Sequence, residues 1–143
     1  MDGLSITELK VGQSASFTKT VTEHDVYTFA GVTGDLNPAH INEEYAKGTQ
    51  FKGRIAHGLL SVGFLSAVMA MQLPGPGSIY LGQEVRFTAP VRMGDTITAI
   101  ATVSELFPEK NIVKLKNECV NQRGETVITG VATVMPPRKG SAR

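Results

Sequence analysis

Apolar positions fall into helical spacing early in the chain and into alternation over its second half. Phe17 to Val21 reads as a short strand, after which Thr22-Glu23-His24-Asp25 offers a capping residue and early acids. Apolar Val26, Phe29 and Ala30 then recur at helical spacing and predict a helix ending near Gly31. Residues 32–54 are dense in Gly, Asn, Asp and Pro and predict a long, shaped loop region of the kind that carries function. Within it, Asn37 caps a turn that has Pro38 at its first helical position. Asn42 precedes Glu43, Glu44 and Tyr45 in the same manner, with Gly48 as a stop. His57 to Gln72 is apolar almost all round and carries no charge, a pattern that predicts a helix buried on every side. After the turn Pro74-Gly75-Pro76-Gly77, four segments rich in Val, Ile and Thr follow: Ile79 to Ala89, Thr96 to Ser104, Ile112 to Val120 and Thr126 to Met135. Gly94-Asp95, Pro108-Glu109-Lys110-Asn111 and Arg123-Gly124 separate them as hairpin-like turns.

These elements sum to an antiparallel sheet of about five strands with one long buried helix. A single sheet covers so apolar a helix only by curling around it. The class is α+β with the shape called a hot dog, carrying a loop-and-short-helix overhang ahead of the long helix. One domain spans residues 1–135. Residues 136–143, rich in Pro, Lys, Gly and Ser, read as a flexible C-terminal tail.

At 143 residues the chain has room for one ordinary core and no second catalytic domain. Lys and Arg number 14 against 13 Asp and Glu, a net charge of +1 without charge blocks, which argues against nucleic-acid binding driven by a basic surface. The lone Cys119 has no internal disulfide partner, and the N-terminal residues lack the basic and apolar regions of a signal peptide. A cytoplasmic setting is expected. The charge-free stretch falls short of the roughly 20 residues of a membrane span, so no membrane association is expected.

Candidate chemistry concentrates in Gly34-Asp35-Leu36-Asn37-Pro38-Ala39-His40 and in His57-Gly58 at the head of the long helix. An Asp before a Pro-capped turn and a His within it can face one side and share a water molecule. Imidazole is the side chain that exchanges a proton near neutral pH, and a carboxylate can orient it or polarise the same water. As isolated residues, Asp35 forming an Asx-turn and His40 tiling a surface turn is the plainer reading. Gly58 lets a ligand approach the unpaired N–H groups of the first helical turn, where an oxyanion gains a hydrogen bond and the helix dipole; close packing against the sheet explains it equally. His57 serves packing or hydrogen bonding, with ligand contact as the other reading. Ser66, two turns beyond Gly58 and roughly 12 Å further in, bonds the carbonyl one turn back or a site residue arriving from a loop. Ser61, Met69 and Met71 read as core packing, Cys119 as strand filler and His24 as a solvated helix face. No zinc-type spacing, phosphate loop or nucleophile elbow is present, so no metal is expected.

Residues 34–40, Ile55-Ala56-His57-Gly58 and residues 73–82 (Leu73-Pro74-Gly75-Pro76-Gly77-Ser78-Ile79-Tyr80-Leu81-Gly82) resemble the MaoC-like, (R)-specific enoyl-CoA hydratases. The likeness covers about residues 15 to 135 and is greatest to the short, single-hot-dog bacterial members that divert fatty-acid oxidation intermediates to polyhydroxyalkanoate synthesis. It implies a homodimer with sheets side by side and an acyl thioester in a tunnel near the interface. It further implies catalytic roles for Asp35 and His40, an oxyanion role for Gly58 and a helix-serine role for Ser66. An acyl chain running past Met69 is implied as well. The expected reaction is syn hydration of a trans-2-enoyl-CoA to the (R)-3-hydroxyacyl-CoA, with no cofactor beyond the CoA of the substrate. Lys52, Arg54 and Arg86 are candidates for meeting the CoA phosphates. A hot dog acyl-CoA thioesterase shares the fold, but such enzymes often place a carboxylate on or beside the central helix, and His57 to Gln72 has none. A non-catalytic acyl-CoA-binding module is the remaining alternative.

Overall fold

The structure, a computed structural model, describes residues 2–139. In chain order it contains β1 (Ser14–Thr20), α1 (Glu23–Thr33), α2 (Pro38–Ile41), α3 (Glu43–Ala46), α4 (Gly58–Met71), β2 (Ile79–Phe87), β3 (Thr96–Phe107), β4 (Ile112–Val120) and β5 (Thr126–Met135). The five strands form one antiparallel sheet in the order β1-β3-β4-β5-β2. The fold is the α+β hot dog, with α4 lying against β3, β1 and β4.

Alternation in the strands sets the inner face. Ile97, Ala99, Ala101 and Val103 of β3, Val113, Leu115 and Cys119 of β4, and Ala132 and Val134 of β5 are buried. The small alanines leave room for Phe64, Leu65, Val68 and Met69 of α4 to press close. The outer face of the β1–β3 pair is stitched by hydroxyl pairs, Thr18 with Thr98 at 2.9 Å and Thr20 with Thr96 at 2.8 Å. Register shifts at Tyr80/Gly82, Val103/Glu105 and Cys119/Val120 are the irregularities that bend strands and deepen twist.

Local chemistry sets the helix ends. Thr22 and Asp25 form a reciprocal capping box at the start of α1, reinforced by Lys19 at 2.7 Å from Asp25. The helix runs past the expected stop at Gly31, because Thr33 bonds back to the Phe29 carbonyl and Gly34, at φ 81°, supplies the left-handed residue that ends it. Asn37 and Asn42 cap the two short helices through side-chain bonds to Ala39 N–H and Tyr45 N–H. Strand β1 begins three residues ahead of the expected Phe17, since pairing of Ser14 with Thr102 extends the ladder where the residues themselves favour no strand.

Two expectations are corrected. Helix α4 is not covered on every side in the single chain: Leu59 is 59% and Met71 70% exposed, so one stripe of the helix faces outward. The expected flexible tail does not begin at Pro136. Pro136 and Pro137 are buried, the Asn111 amide donates to the Pro136 carbonyl at 3.0 Å, and Lys139 pairs with Glu8; the rest of that segment lies outside the described residues.

Candidate active site

Asp35 follows the left-handed Gly34 directly. Its N–H donates to the Thr33 hydroxyl, and its carboxylate accepts from Asn37 N–H at 3.3 Å, closing an Asx-type turn. The turn leaves the carboxylate half exposed. One residue past Asn37, Pro38 opens α2 and carries His40 inward. His40 Nδ1 lies 2.7 Å from the Ile55 carbonyl. A carbonyl only accepts, so Nδ1 holds the proton and Nε2 is left with its lone pair. Likewise His57 Nε2 donates to the Asp35 backbone carbonyl at 2.9 Å, and His57 Nδ1 keeps the lone pair. Two backbone carbonyls thereby fix both imidazole tautomers.

The rings of His40 and His57 stack at 3.9 Å with 30° between planes, and Phe29 packs on His57 at 4.7 Å. His57 is 2% exposed and caps α4 without a side-chain cap bond. It is a strut: it holds the loop of Asp35 through the carbonyl and backs the ring of His40. Its Nε2 lies 4.0 Å from the Asp35 carboxylate. Ligand atoms of Asp35, His40 and His57 all lie within 4.8 Å of one another, a density of donors compatible with a cation, although His57 Nε2 is committed to the carbonyl.

These groups open on a cavity of about 430 Å³ bounded by Asp35, His40, His57, Gly58, Ser61 and Phe87, with Thr88 to Val91 and residues of β5 behind them. The volume suits part of a small organic ligand. Gly58 has a packing role: a Cβ there would sit 2.5 Å from the Phe87 ring. The chain after Pro90 closes the floor, with Ala56 N–H donating to the Val91 carbonyl at 2.7 Å.

Of the residues singled out in the sequence, Asp35, His40, His57 and Gly58 converge on this cavity. Ser66 and Met69 do not line it. They lie two turns and more along α4, and Met69 is buried with its sulfur 3.9 Å from the Asn117 amide. Ser61, read as core packing, does line it, 1% exposed and with no hydrogen-bond partner for its hydroxyl. Its signal was its place four residues after His57, over the same helical turn. Phe87 had no such signal, because only the sheet register brings it over α4. Among the three basic candidates for the phosphates, Arg54 is already engaged. It bonds Glu23 at 2.6 Å and the Tyr27 hydroxyl at 3.1 Å, and the Glu23 carboxylate holds the guanidinium charged while its own pKa is lowered by the same bond. Lys52 and Arg86 are exposed.

Comparison with known proteins places these observations. The family model described as "MaoC like domain" matches residues 7–128. An (R)-specific enoyl-CoA hydratase of Rhodospirillum rubrum is 56% identical over 133 residues, covering 93% of this chain and 92% of that protein. Among solved structures, the unliganded R-hydratase PhaJ1 of Pseudomonas aeruginosa superposes with TM-score 0.90 at 47% identity, over 96% of this chain and 88% of that one. The (R)-hydratase of Aeromonas caviae, described as involved in PHA biosynthesis, superposes with TM-score 0.87 at 40% identity, over 90% and 98% of the two chains. The chain therefore belongs to the MaoC-like domain family.

Proposed function

We propose that this protein is an (R)-specific enoyl-CoA hydratase, adding water across the double bond of a trans-2-enoyl-CoA to give the (R)-3-hydroxyacyl-CoA. The observation that carries the reading is the placement of the Asp35 carboxylate and of His40, its Nδ1 committed to the Ile55 carbonyl, at one cavity that the first turn of α4 also lines. Relatives of similar length named as an (R)-specific enoyl-CoA hydratase and an R-hydratase support it.

The thioester carbonyl accepts a hydrogen bond from the Gly58 N–H, one of the first-turn donors without an intrahelical partner. That bond draws electron density from C3. A water held between Asp35 and His40 gives its proton to this pair as its oxygen forms the bond to C3, and the electrons of the double bond move onto the thioester oxygen as an enolate. The helix terminus stabilises that charge, and one such donor is worth about 2.7–4 kcal/mol of barrier in other enzymes. Return of the proton to C2 from the same pair, on the same face, completes a syn addition. Hydration transfers no electrons to an acceptor, so the chemistry calls for no redox cofactor, and CoA enters as part of the substrate.

The active form in this reading is a homodimer. Edge strand β2 presents Ile79, Tyr80, Leu81 and Phe87, each 40% or more exposed, and α4 turns Leu59 and Met71 outward. A second copy seated there would cover both and bring Ser66 and Met69 near an extended acyl tunnel. Among the described residues no helix is long and apolar enough to cross a membrane. In this reading the enzyme works in the cytoplasm, supplying (R)-3-hydroxyacyl-CoA to polyhydroxyalkanoate synthesis.

The test is to offer crotonyl-CoA and trans-2-octenoyl-CoA to the purified protein and follow the conjugated thioester absorbance, coupling product to an (R)-specific 3-hydroxyacyl-CoA dehydrogenase. Loss of absorbance with reduced nucleotide formed, unchanged after dialysis against EDTA, is the expected result. Release of free thiol without hydration would instead make the protein a thioesterase, and binding without turnover would make it an acyl-CoA-binding module.

A further inference from the structure

The buried side-chain polar atoms without a hydrogen-bond partner, among the described residues, are His57 Nδ1 and Ser61 Oγ, and both residues line the cavity. Native structures rarely leave such groups idle, and one that stays idle beside a cavity is waiting for a ligand or water. The two atoms differ in kind. His57 gives its only ring proton to the Asp35 carbonyl, so Nδ1 can only accept. Ser61 carries a proton with nowhere to go.

The cavity's other polar side chains are committed elsewhere or lack a proton to give. His40 spends its Nδ1 proton on the Ile55 carbonyl, and the Thr88 hydroxyl donates to the Thr126 carbonyl at 2.8 Å. Asp35 is an acceptor. Ser61 thus holds the uncommitted side-chain hydrogen-bond proton of this cavity wall. Side chains on a helix lean toward its N-terminus, so Ser61 covers the turn that opens with His57 and Gly58, where the first free N–H groups of α4 lie. A serine within a helix usually returns its proton to the carbonyl four residues back; here that carbonyl, of His57, accepts from Leu60 N–H and not from the Ser61 hydroxyl.

Resting on the hydratase reading, we infer that the Ser61 hydroxyl is a catalytic residue, the second donor to the thioester oxygen beside the Gly58 N–H. The Ser61 O–H donates to the carbonyl oxygen of the bound enoyl thioester and shortens that bond as the oxygen becomes an enolate, keeping its own proton throughout. No protein group takes the Ser61 proton, so the hydroxyl is available to the substrate, a local sacrifice of stability for rate.

Ser61→Ala and Ser61→Thr, each compared with the parent in steady-state hydration of crotonyl-CoA and in thermal unfolding, test this. The alanine variant is expected to lose kcat on the order of 10²–10³-fold, the range for removal of one oxyanion donor, with KM within about threefold. Its Tm should equal or exceed the parent's, since a buried hydroxyl without a partner costs stability. Threonine, which restores a hydroxyl, should recover most of the rate. A merely structural serine would give the opposite pair of results: Ser61→Ala with a lowered Tm and a kcat within threefold of the parent, and that outcome overturns the assignment. A parent protein inactive on both crotonyl-CoA and octenoyl-CoA would remove the hydratase reading and this inference together, whereas an active parent with an unaffected Ser61→Ala removes this inference alone.

Discussion

Gly58→Ala separates two demands that fall on one residue. An ideal Cβ at this position lies 2.5 Å from Cε1 and 2.7 Å from Cδ1 of Phe87, where ordinary contact begins near 3.4 Å, so the ring must retreat by about 0.9 Å. Overpacking of this kind costs about 1–3 kcal/mol. Phe87 ends an edge strand and lines the cavity, so the ring can yield toward that space, which relieves part of the strain and places the cost in the lower half, about 1–2 kcal/mol. For a chain of this size that is a fall in Tm of roughly 3–8 °C. The assay is a double-mutant cycle with Phe87→Ala, read by thermal and urea unfolding. With the ring removed, the added methyl has room and the Gly58→Ala penalty should vanish, a coupling of at least about 1 kcal/mol. Hydration activity should not return with it, because the methyl still occupies the approach to the first-turn N–H groups. An equal loss of stability in both backgrounds would refute the packing argument. Full activity in the double variant would show that the thioester does not approach the helix start at Gly58.

Further expectations concern groups away from the chemistry. Burial, with a smaller contribution from the neighbouring Glu118 carboxylate, pushes the Cys119 thiol up to about 12. The native protein should therefore resist iodoacetamide at pH 8 and react once unfolded; stoichiometric labelling of the native state within minutes would contradict the burial. The same shift has a sign for stability: the folded state keeps a proton that the unfolded chain gives up above pH 9.0, so this residue lowers stability progressively as pH rises from about 9 toward 12. Asp25 works the other way. Burial raises its pKa, but the Lys19 ammonium and the Thr22 N–H and hydroxyl outweigh that and leave it lowered from 3.8. Its contribution is full at neutral pH and is lost as pH falls through the folded value, below 3.8. The Tm deficit of Asp25→Asn should thus be clear at pH 7 and shrink toward pH 3, and a deficit independent of pH would count against the ion-paired cap. Leu65→Ala, at a fully buried position of α4, should cost about 2–5 kcal/mol by urea unfolding; a loss under 1 kcal/mol would mean that α4 does not anchor the core.

Much of this fold is legible in the sequence alone. A charge-free helix, asparagine caps followed by proline or acids, and valine- and threonine-rich runs between Gly-Asp and Arg-Gly turns are local signals, and local signals set most element boundaries here. Asp35, His40, His57 and Gly58 sit in two short motifs whose residue types already suggest their chemistry. The misses share one cause, dependence on contacts distant in sequence. An all-apolar helix does not say which stripe its own sheet covers, so the exposure of Leu59 and Met71 was invisible. Phe87 reaches Gly58 only through the sheet register. Ser61 is indistinguishable from a packed helix serine until the carbonyl it should bond is seen to lack that bond. Arg54 looks like a free cation along the sequence, and its tie to Glu23 spans two elements.

In the proposed mechanism Asp35 and His40 together activate water for addition to an enoyl thioester. Its most direct test is the hydration rate of Asp35→Asn on crotonyl-CoA, with the (R)-specific dehydrogenase reporting product and the Tm of the variant measured alongside. Asparagine keeps the size and the acceptor for Asn37 N–H, so an intact fold with kcat reduced on the order of 10²–10⁴-fold is the predicted result. A folded Asp35→Asn enzyme that forms (R)-3-hydroxybutyryl-CoA at the parent rate would contradict it.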